Sequence, residues 1–329
     1  MSKPVVLLFG LPRSGTTWIG KIFDSHPITL YRHEPDSWRR ITSIPLLANV
    51  DNQGDYCQFL KEYVDGFEDI SLPQVTAKRP YFDKEYSSWL RQGLFRASAT
   101  SSAIAGKLSR KLTMPTISPV SIGRSDNLVL IWKSIESLGR LGVISRCVCQ
   151  CKAIHILRHP CGYIASVLGG EASSKFVSSV PSSEDYDLFG RLMETEQAQG
   201  YGLSLSQIKE MKPVERLAWR WVLFNEKAMS DMEGHANYKW MRYEDMCTDP
   251  IGEAKKYFSF AGLSWNDQTE NFLQASTSKE STAYYSVYKN PEKSANKWKE
   301  KLSSDDINAI RSIVVETKPG KLYLDMFPS

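Results

Sequence analysis

The segment of this chain best equipped for chemistry is Gly10-Leu11-Pro12-Arg13-Ser14-Gly15-Thr16-Thr17-Trp18. It follows an apolar run, Val5 to Phe9, and opens a helical pattern from Thr16 to Asp24. A glycine-bearing turn between strand and helix exposes backbone N–H groups, and the helix dipole adds roughly half a positive charge. Ser14, Thr16 and Thr17 supply hydroxyl donors and Arg13 a cation, so the turn is suited to an anion. The G-x4-G spacing is that of a Walker A loop, but Thr16 stands where the phosphate-bridging lysine would be. A P-loop kinase of a small metabolite would need that lysine and a Walker B aspartate at a strand end, and neither is found. The plain alternative is a glycine turn without a ligand. Arg13 and two threonines at a helix start argue against it.

Three further positions could carry chemistry. Ile154-His155-Ile156-Leu157-Arg158-His159-Pro160, followed by Gly162-Tyr163-Ile164-Ala165-Ser166, reads as strand, turn and helix. A guanidinium at that strand end can fork onto phosphate oxygens, and a hydroxyl a turn inside the helix can fix their orientation. Lys133 ends the apolar run Leu128 to Trp132, and Glu34 sits in Arg32-His33-Glu34-Pro35, 21 residues after Arg13. Taken singly, each has a bland reading: a surface ion pair for Arg158, a boundary residue for Lys133, a solvated charge for Glu34. Their order along the chain is what makes them a set.

That set resembles the sulfotransferases that use 3′-phosphoadenosine 5′-phosphosulfate. The Pro-Arg-Ser-Gly-Thr-Thr form of the first turn is similar to their 5′-phosphosulfate loop, in the tyrosylprotein and bacterial branch. Cytosolic small-molecule sulfotransferases usually carry lysine at the Arg13 position. Asp24-Ser25-His26-Pro27 resembles the end of the family's first helix, and Tyr243-Glu244-Asp245 resembles its Y-E-D/Q segment. Ser294 to Lys299, with Lys297-Trp298-Lys299, resembles the late loop that covers the cofactor. The resemblance runs from residue 5 to about residue 315.

The resemblance implies roles. Arg13, Ser14, Gly15, Thr16 and Thr17 would hold the phosphosulfate, Arg158 and Ser166 the 3′-phosphate, and Tyr243, Lys297, Trp298 and Lys299 would line the nucleotide. Trp18 would lie against adenine or serve the core. Glu34 would be the general base, with His33 as rival, and Lys133 would reach the bridging oxygen and sulfonate. Sulfuryl transfer to a hydroxyl, or less readily an amine, would proceed by in-line displacement, with 3′,5′-diphosphoadenosine (PAP) leaving and no metal needed. A protein that binds the nucleotide without catalysis is the remaining alternative. Two departures stand out. Ile135 occupies the place of the cytosolic enzymes' catalytic histidine, which supports Glu34. Ser134-Ile135 replaces the Asp/Glu-Pro of the other branch, which leaves the geometry around Lys133 open.

Positioning these groups calls for an α/β fold. Val5–Phe9, Leu128–Trp132, Ala153–Leu157 and Tyr238–Met241 read as strands, alternating with helical patterns at Thr16–Asp24, Gly162–Leu168, Val214–Asp231, Pro250–Ala261 and Ser304–Thr317. The expectation is one P-loop-like domain over residues 1–329, a parallel sheet flanked by helices. Two stretches break the rhythm, 86–125 and 169–212, and read as candidate substrate lids. The first carries six Lys and Arg and no acid.

The 329 residues carry 41 Lys plus Arg against 37 Asp plus Glu, a net +4 that argues against a dedicated nucleic-acid binder. No run reaches the roughly 20 apolar residues of a membrane span. The expected acceptor is a small molecule, a lipid or a carbohydrate. The oligomeric state is open and the expected location cytoplasmic. The six cysteines read as reduced thiols, with Cys147, Cys149 and Cys151 at alternate positions on or near a strand and without the spacing of a zinc site.

Overall fold

The computed structural model describes residues 3–108, 114–120, 127–172, 180–278 and 291–328. Its centre is a five-stranded sheet: β1 (Val5–Phe9), β2 (Thr29–His33), β3 (Val129–Ser134), β4 (Cys151–Leu157) and β5 (Tyr238–Arg242). The order is β2-β3-β1-β4-β5, and every pairing is parallel. Near-continuous apolar runs suit strands covered on both faces. Along β1 the side chains alternate, Val5, Leu7 and Phe9 joining one core and Val6 and Leu8 the other. Helix Thr16–Asp24 seals the second core with Trp18, Ile19, Ile22 and Phe23, and helix Pro213–Asp231 seals the first with Leu217, Trp221, Phe224 and Ala228.

The four expected strands and the expected helices are present with small shifts at their ends. The strand Thr29–His33 was not expected. Its Arg32 is buried and donates from Nε to Phe67 O at 2.6 Å and from Nη2 to Glu68 O at 3.3 Å. A cation inside a strand hides the apolar run by which such strands are found.

One expectation is corrected. Cys147 ends helix Leu141–Cys147 and pairs with Cys57, which opens helix Cys57–Asp65, in a disulfide. Cys149 lies in an exposed turn and Cys151 begins β4. The two helices pack together, which brings residues 90 apart in sequence into contact, and nothing local announces that pairing. In the stretch 169–212, the part from residue 180 folds into helices Tyr186–Met193, Glu196–Gly200 and Leu205–Glu210, whose Phe189, Leu192, Ala198 and Ile208 are fully buried. The first two pack on helix Pro213–Asp231, and the third packs on the first.

Candidate functional site

The carboxyl ends of β2, β3, β1 and β4 lie side by side, where open parallel sheets bind ligands. The register is specific: His33 pairs with Lys133, Leu8 with Lys133, and Phe9 with both Ser134 and His155. Residues that follow these positions therefore converge, although they are far apart in sequence.

The turn after β1 holds its shape through unusual backbone. Arg13 and Gly15 both have positive φ, 73° and 80°. Ser14 N donates to Leu11 O at 3.2 Å, and Trp18 N donates to Gly15 O at 3.0 Å. The Tyr243 ring packs on Gly15 so closely that a Cβ there would lie 2.2 Å from ring carbon Cδ2. Gly15→Ala should therefore push Tyr243 away and distort the turn. Loss of PAP binding beyond about tenfold, read by calorimetry against the wild type, is the expected outcome.

Arg158, at the end of β4, reaches back to this turn. Its Nη1 donates to Arg13 O at 2.8 Å and its Nη2 to Ser294 O at 2.8 Å. The guanidinium lies 5.1 Å from the centre of the Tyr243 ring, while its Nε is buried without a hydrogen-bond partner. Ser166 Oγ accepts from Arg13 Nε at 3.0 Å. The two halves of the sequence pattern thus touch, with Arg13 as the residue they share. Trp221 Nε1 donates to Arg158 O at 3.0 Å and Glu244 Oε1 accepts from His159 N at 3.0 Å, which fixes the turn that presents Arg158.

Other expected nucleotide contacts fall differently. Trp18 is buried in the second core and donates from Nε1 to Ser276 Oγ at 3.1 Å. Trp298 is also buried, stacked on His159 at 4.7 Å between ring centres with 5° between their planes. Lys297 and Lys299 are exposed on either side of it. Burial pushes His159 down to about 3, so it stacks as a neutral ring.

Glu34 follows β2 with φ 51° and ψ 51°, a left-handed conformation that a non-glycine residue adopts at a cost of order 1–2 kcal/mol. Its N–H donates to Lys133 O at 2.8 Å, and its carboxylate Oε1 forms an ion pair with Lys133 Nζ. Lys133 is buried, which pushes its ammonium below the ordinary lysine value, and the Glu34 carboxylate opposes that shift. His33 is held well below the ordinary histidine value, first by burial and then by Lys133, Lys78 and Lys21. It is a neutral ring near pH 7, hydrogen-bonded through Nδ1 to Tyr31 Oη at 2.8 Å.

Sequence reading missed what holds Glu34 and Lys133 together. Asp36 is buried two residues after Glu34 and accepts from the hydroxyls of Ser134 and Ser137, with Trp132 Nε1 at 3.4 Å. Ser134 Oγ also accepts from Glu136 N at 3.0 Å and Ser137 N at 2.9 Å. The exits of β2 and β3 are tied by this knot.

Beside the pair lies a cavity of about 530 Å³, walled by His33, Glu34, Trp38, Gln74, Lys78 and one face of helix Trp89–Leu108 with Ala99, Ser102, Ala103 and Gly106. Burial lowers Lys78 below the ordinary lysine value, and Lys133 adds to that. Lys78 and Trp38 carried no motif; their place in the wall comes only from folding. Among the described residues no cluster of three or more His, Cys, Asp or Glu could hold a metal ion, and no helix is long and apolar enough to cross a membrane.

The frame of the site is thus a parallel sheet with a glycine-bearing turn after β1 and an acid–lysine pair at neighbouring strand ends. The model of the sulfotransferase family matches residues 4–267, and the chain belongs to that family. Mouse carbohydrate sulfotransferase 3 is 34% identical over 64 residues, a match that covers 19% of this chain and 14% of that protein. Among solved structures, mouse sulfotransferase SULT7A1 complexed with PAP aligns over 99% of this chain and 90% of its own, at 12% identity and TM-score 0.48. The sulfotransferase domain of the Synechococcus PCC 7002 olefin synthase aligns over 95% of each chain, at 15% identity and TM-score 0.44.

Proposed function

We propose that this chain moves a sulfuryl group from 3′-phosphoadenosine 5′-phosphosulfate to a hydroxyl of an acceptor held in the Glu34 cavity. The observation that carries the reading is the Glu34–Lys133 pair at the ends of β2 and β3, with Glu34 in the cavity wall. Family membership supports the reaction class. The fit of the donor is supported by two features: the buried Arg158 Nε that lacks a partner, and hydroxyls beside Arg13 at a helix start. Ser14, Gly15, Thr16 and Thr17 would hold the 5′-phosphosulfate, and Arg158 with Ser166 the 3′-phosphate. Tyr243 and the exposed lysines 297 and 299 flank the nucleotide. When bound, the donor supplies an activated sulfuryl group on a phosphate leaving group.

Glu34 takes the acceptor's hydroxyl proton as its oxygen forms the new bond to sulfur. Lys133 and Arg13 offset the charge that collects on the sulfonate and on the oxygen bridging sulfur and phosphorus. Proton release to Glu34 also frees Lys133 from its ion-pair partner when the leaving oxygen needs it. His33 stays neutral beside Glu34 in the cavity wall. Residues 1–329 act as one domain in this reading, with helix Trp89–Leu108 as the acceptor-side wall of the 86–125 stretch.

Thermal unfolding with nucleotides tests the donor assignment. PAP should raise the melting temperature by several degrees at a hundredfold excess over its Kd, a stabilisation of about 2.7 kcal/mol. ATP with magnesium should raise it far less; equal responses would overturn the assignment. Labelled donor incubated with a cell extract, followed by mass identification of the labelled product, would then name the acceptor.

A further inference from the structure

The cavity beside Glu34, about 530 Å³, has the volume of a small-molecule site. Deprotonating an acceptor there needs one polar group in the wall, and the wall holds more. Gln74 stands in it, and its amide oxygen Oε1 is buried without a hydrogen-bond partner among the described residues. A buried amide oxygen left unpaired costs stability, so it gains from a donor that arrives with a ligand.

The backbone under Gln74 is fixed. It belongs to the short helix Pro73–Thr76, where Val75 is fully buried and Thr76 Oγ1 donates to Leu72 O at 2.9 Å. Thr116 N donates to Ser71 O at 2.8 Å and braces the approach to that helix. The helix packs on β2, the strand that ends at His33 and leads to Glu34. Gln74 and Glu34 are therefore held on neighbouring elements in one wall, where a single molecule can meet both.

The rest of the wall selects the kind of donor. Lys78 lines the same cavity, and the Glu34 carboxylate is paired with Lys133. A third ammonium, on the acceptor, would meet like charge there. A carboxylate or phosphate has no hydrogen to offer Gln74. A neutral hydroxyl donates and accepts at once, which suits a wall that sets the Ser102 hydroxyl and the Lys78 ammonium in the same cavity as the Gln74 oxygen. Trp38, Ala99 and Ala103 present carbon to the skeleton that carries the hydroxyls.

We propose that Gln74 is a specificity-determining residue that accepts a hydrogen bond from a second hydroxyl of the acceptor, so that the acceptor is a diol or polyol. The inference rests on the transfer reading above. One hydroxyl meets Glu34 and receives the sulfuryl group; the other is held by Gln74 and decides which hydroxyl reaches Glu34.

Acceptors that differ by one hydroxyl test this with labelled donor: cyclohexanol against the cyclohexane-1,2- and 1,4-diols, and 4-nitrophenol against 4-nitrocatechol. In at least one comparison the wild type should favour the diol by about tenfold or more in kcat/KM. Gln74→Leu should lose that preference through the diol's KM, while its rate with the single-hydroxyl acceptor and its PAP affinity by calorimetry stay within about threefold of the wild type. The labelled product from a cell extract needs no variant: it should carry at least one unmodified hydroxyl beside its sulfate ester, counted by mass after acetylation. A product without one, equal kcat/KM in every comparison, or a Gln74→Leu variant that slows diol and single-hydroxyl acceptor alike would each overturn the proposal. Failure of the transfer reading is a separate result, since the wild type would then pass label to no acceptor in the series and to nothing in the extract, and both would fall together.

Discussion

Glu34→Gln should bind PAP within a few-fold of the wild type and yet transfer sulfuryl groups about 10²–10⁴ times more slowly, the usual range for a lost general base. Glutamine is nearly isosteric, and the backbone bond from residue 34 N to Lys133 O does not depend on the side chain. The carboxylate also offsets the burial of Lys133. Without it the ammonium becomes costlier to keep charged, so the variant loses some of its leaving-group cation together with the base. His33→Ala provides the contrast. A histidine held well below its ordinary value is a weak base, so its loss should cost less than about tenfold if it only stands beside Glu34. Rates with labelled donor and a purified acceptor, beside PAP affinity by calorimetry, decide the matter. Turnover by Glu34→Gln at the wild-type rate would remove Glu34 from the base role.

The parts of the molecule legible in sequence were those whose meaning is local. The turn from Gly10 to Thr17 announces itself because glycine, hydroxyl and cation must be neighbours in sequence to be neighbours in space. β1, β3 and β4 announce themselves because both faces of each are covered, and apolar runs are the signature of that. β2 does not: Arg32 and His33 are polar by type but buried, and Arg32 meets carbonyls of residues 67 and 68 that no window around the strand contains.

The same reasoning explains what was missed at the site. Asp36, Ser134 and Ser137 form one hydrogen-bonded unit across 101 residues, and each alone is an ordinary polar residue. Lys78 and Trp38 enter the cavity wall through tertiary packing. In the stretch 169–212 polar residues and glycine hid the helices at 186–193, 196–200 and 205–210, which need only one buried face each, supplied by a few leucines, isoleucines and phenylalanines.

Arg158→Ala should weaken PAP binding by about 1.5–3 kcal/mol, roughly 10- to 150-fold in Kd. The guanidinium contributes to the site in two ways that truncation removes together. It carries charge at the place where a 3′-phosphate would sit, and it ties the carbonyls of Arg13 and Ser294 to the end of β4. Adenosine 5′-phosphosulfate, which lacks the 3′-phosphate, separates the two contributions through a cycle of variant against ligand. If Arg158 recognises the 3′-phosphate, the shorter nucleotide binds the wild type and the variant almost equally, and the full loss appears only with PAP. If Arg158 acts by bracing the Arg13 turn, both nucleotides weaken together. Arg158→Lys sharpens the distinction. An ammonium restores a point charge but cannot donate to two carbonyls and a phosphate in one plane, so it should recover part of the PAP affinity and little of the bracing. The buried Nε that lacks a partner favours the first outcome, because a buried guanidinium N–H gains most from an acceptor that arrives with the ligand.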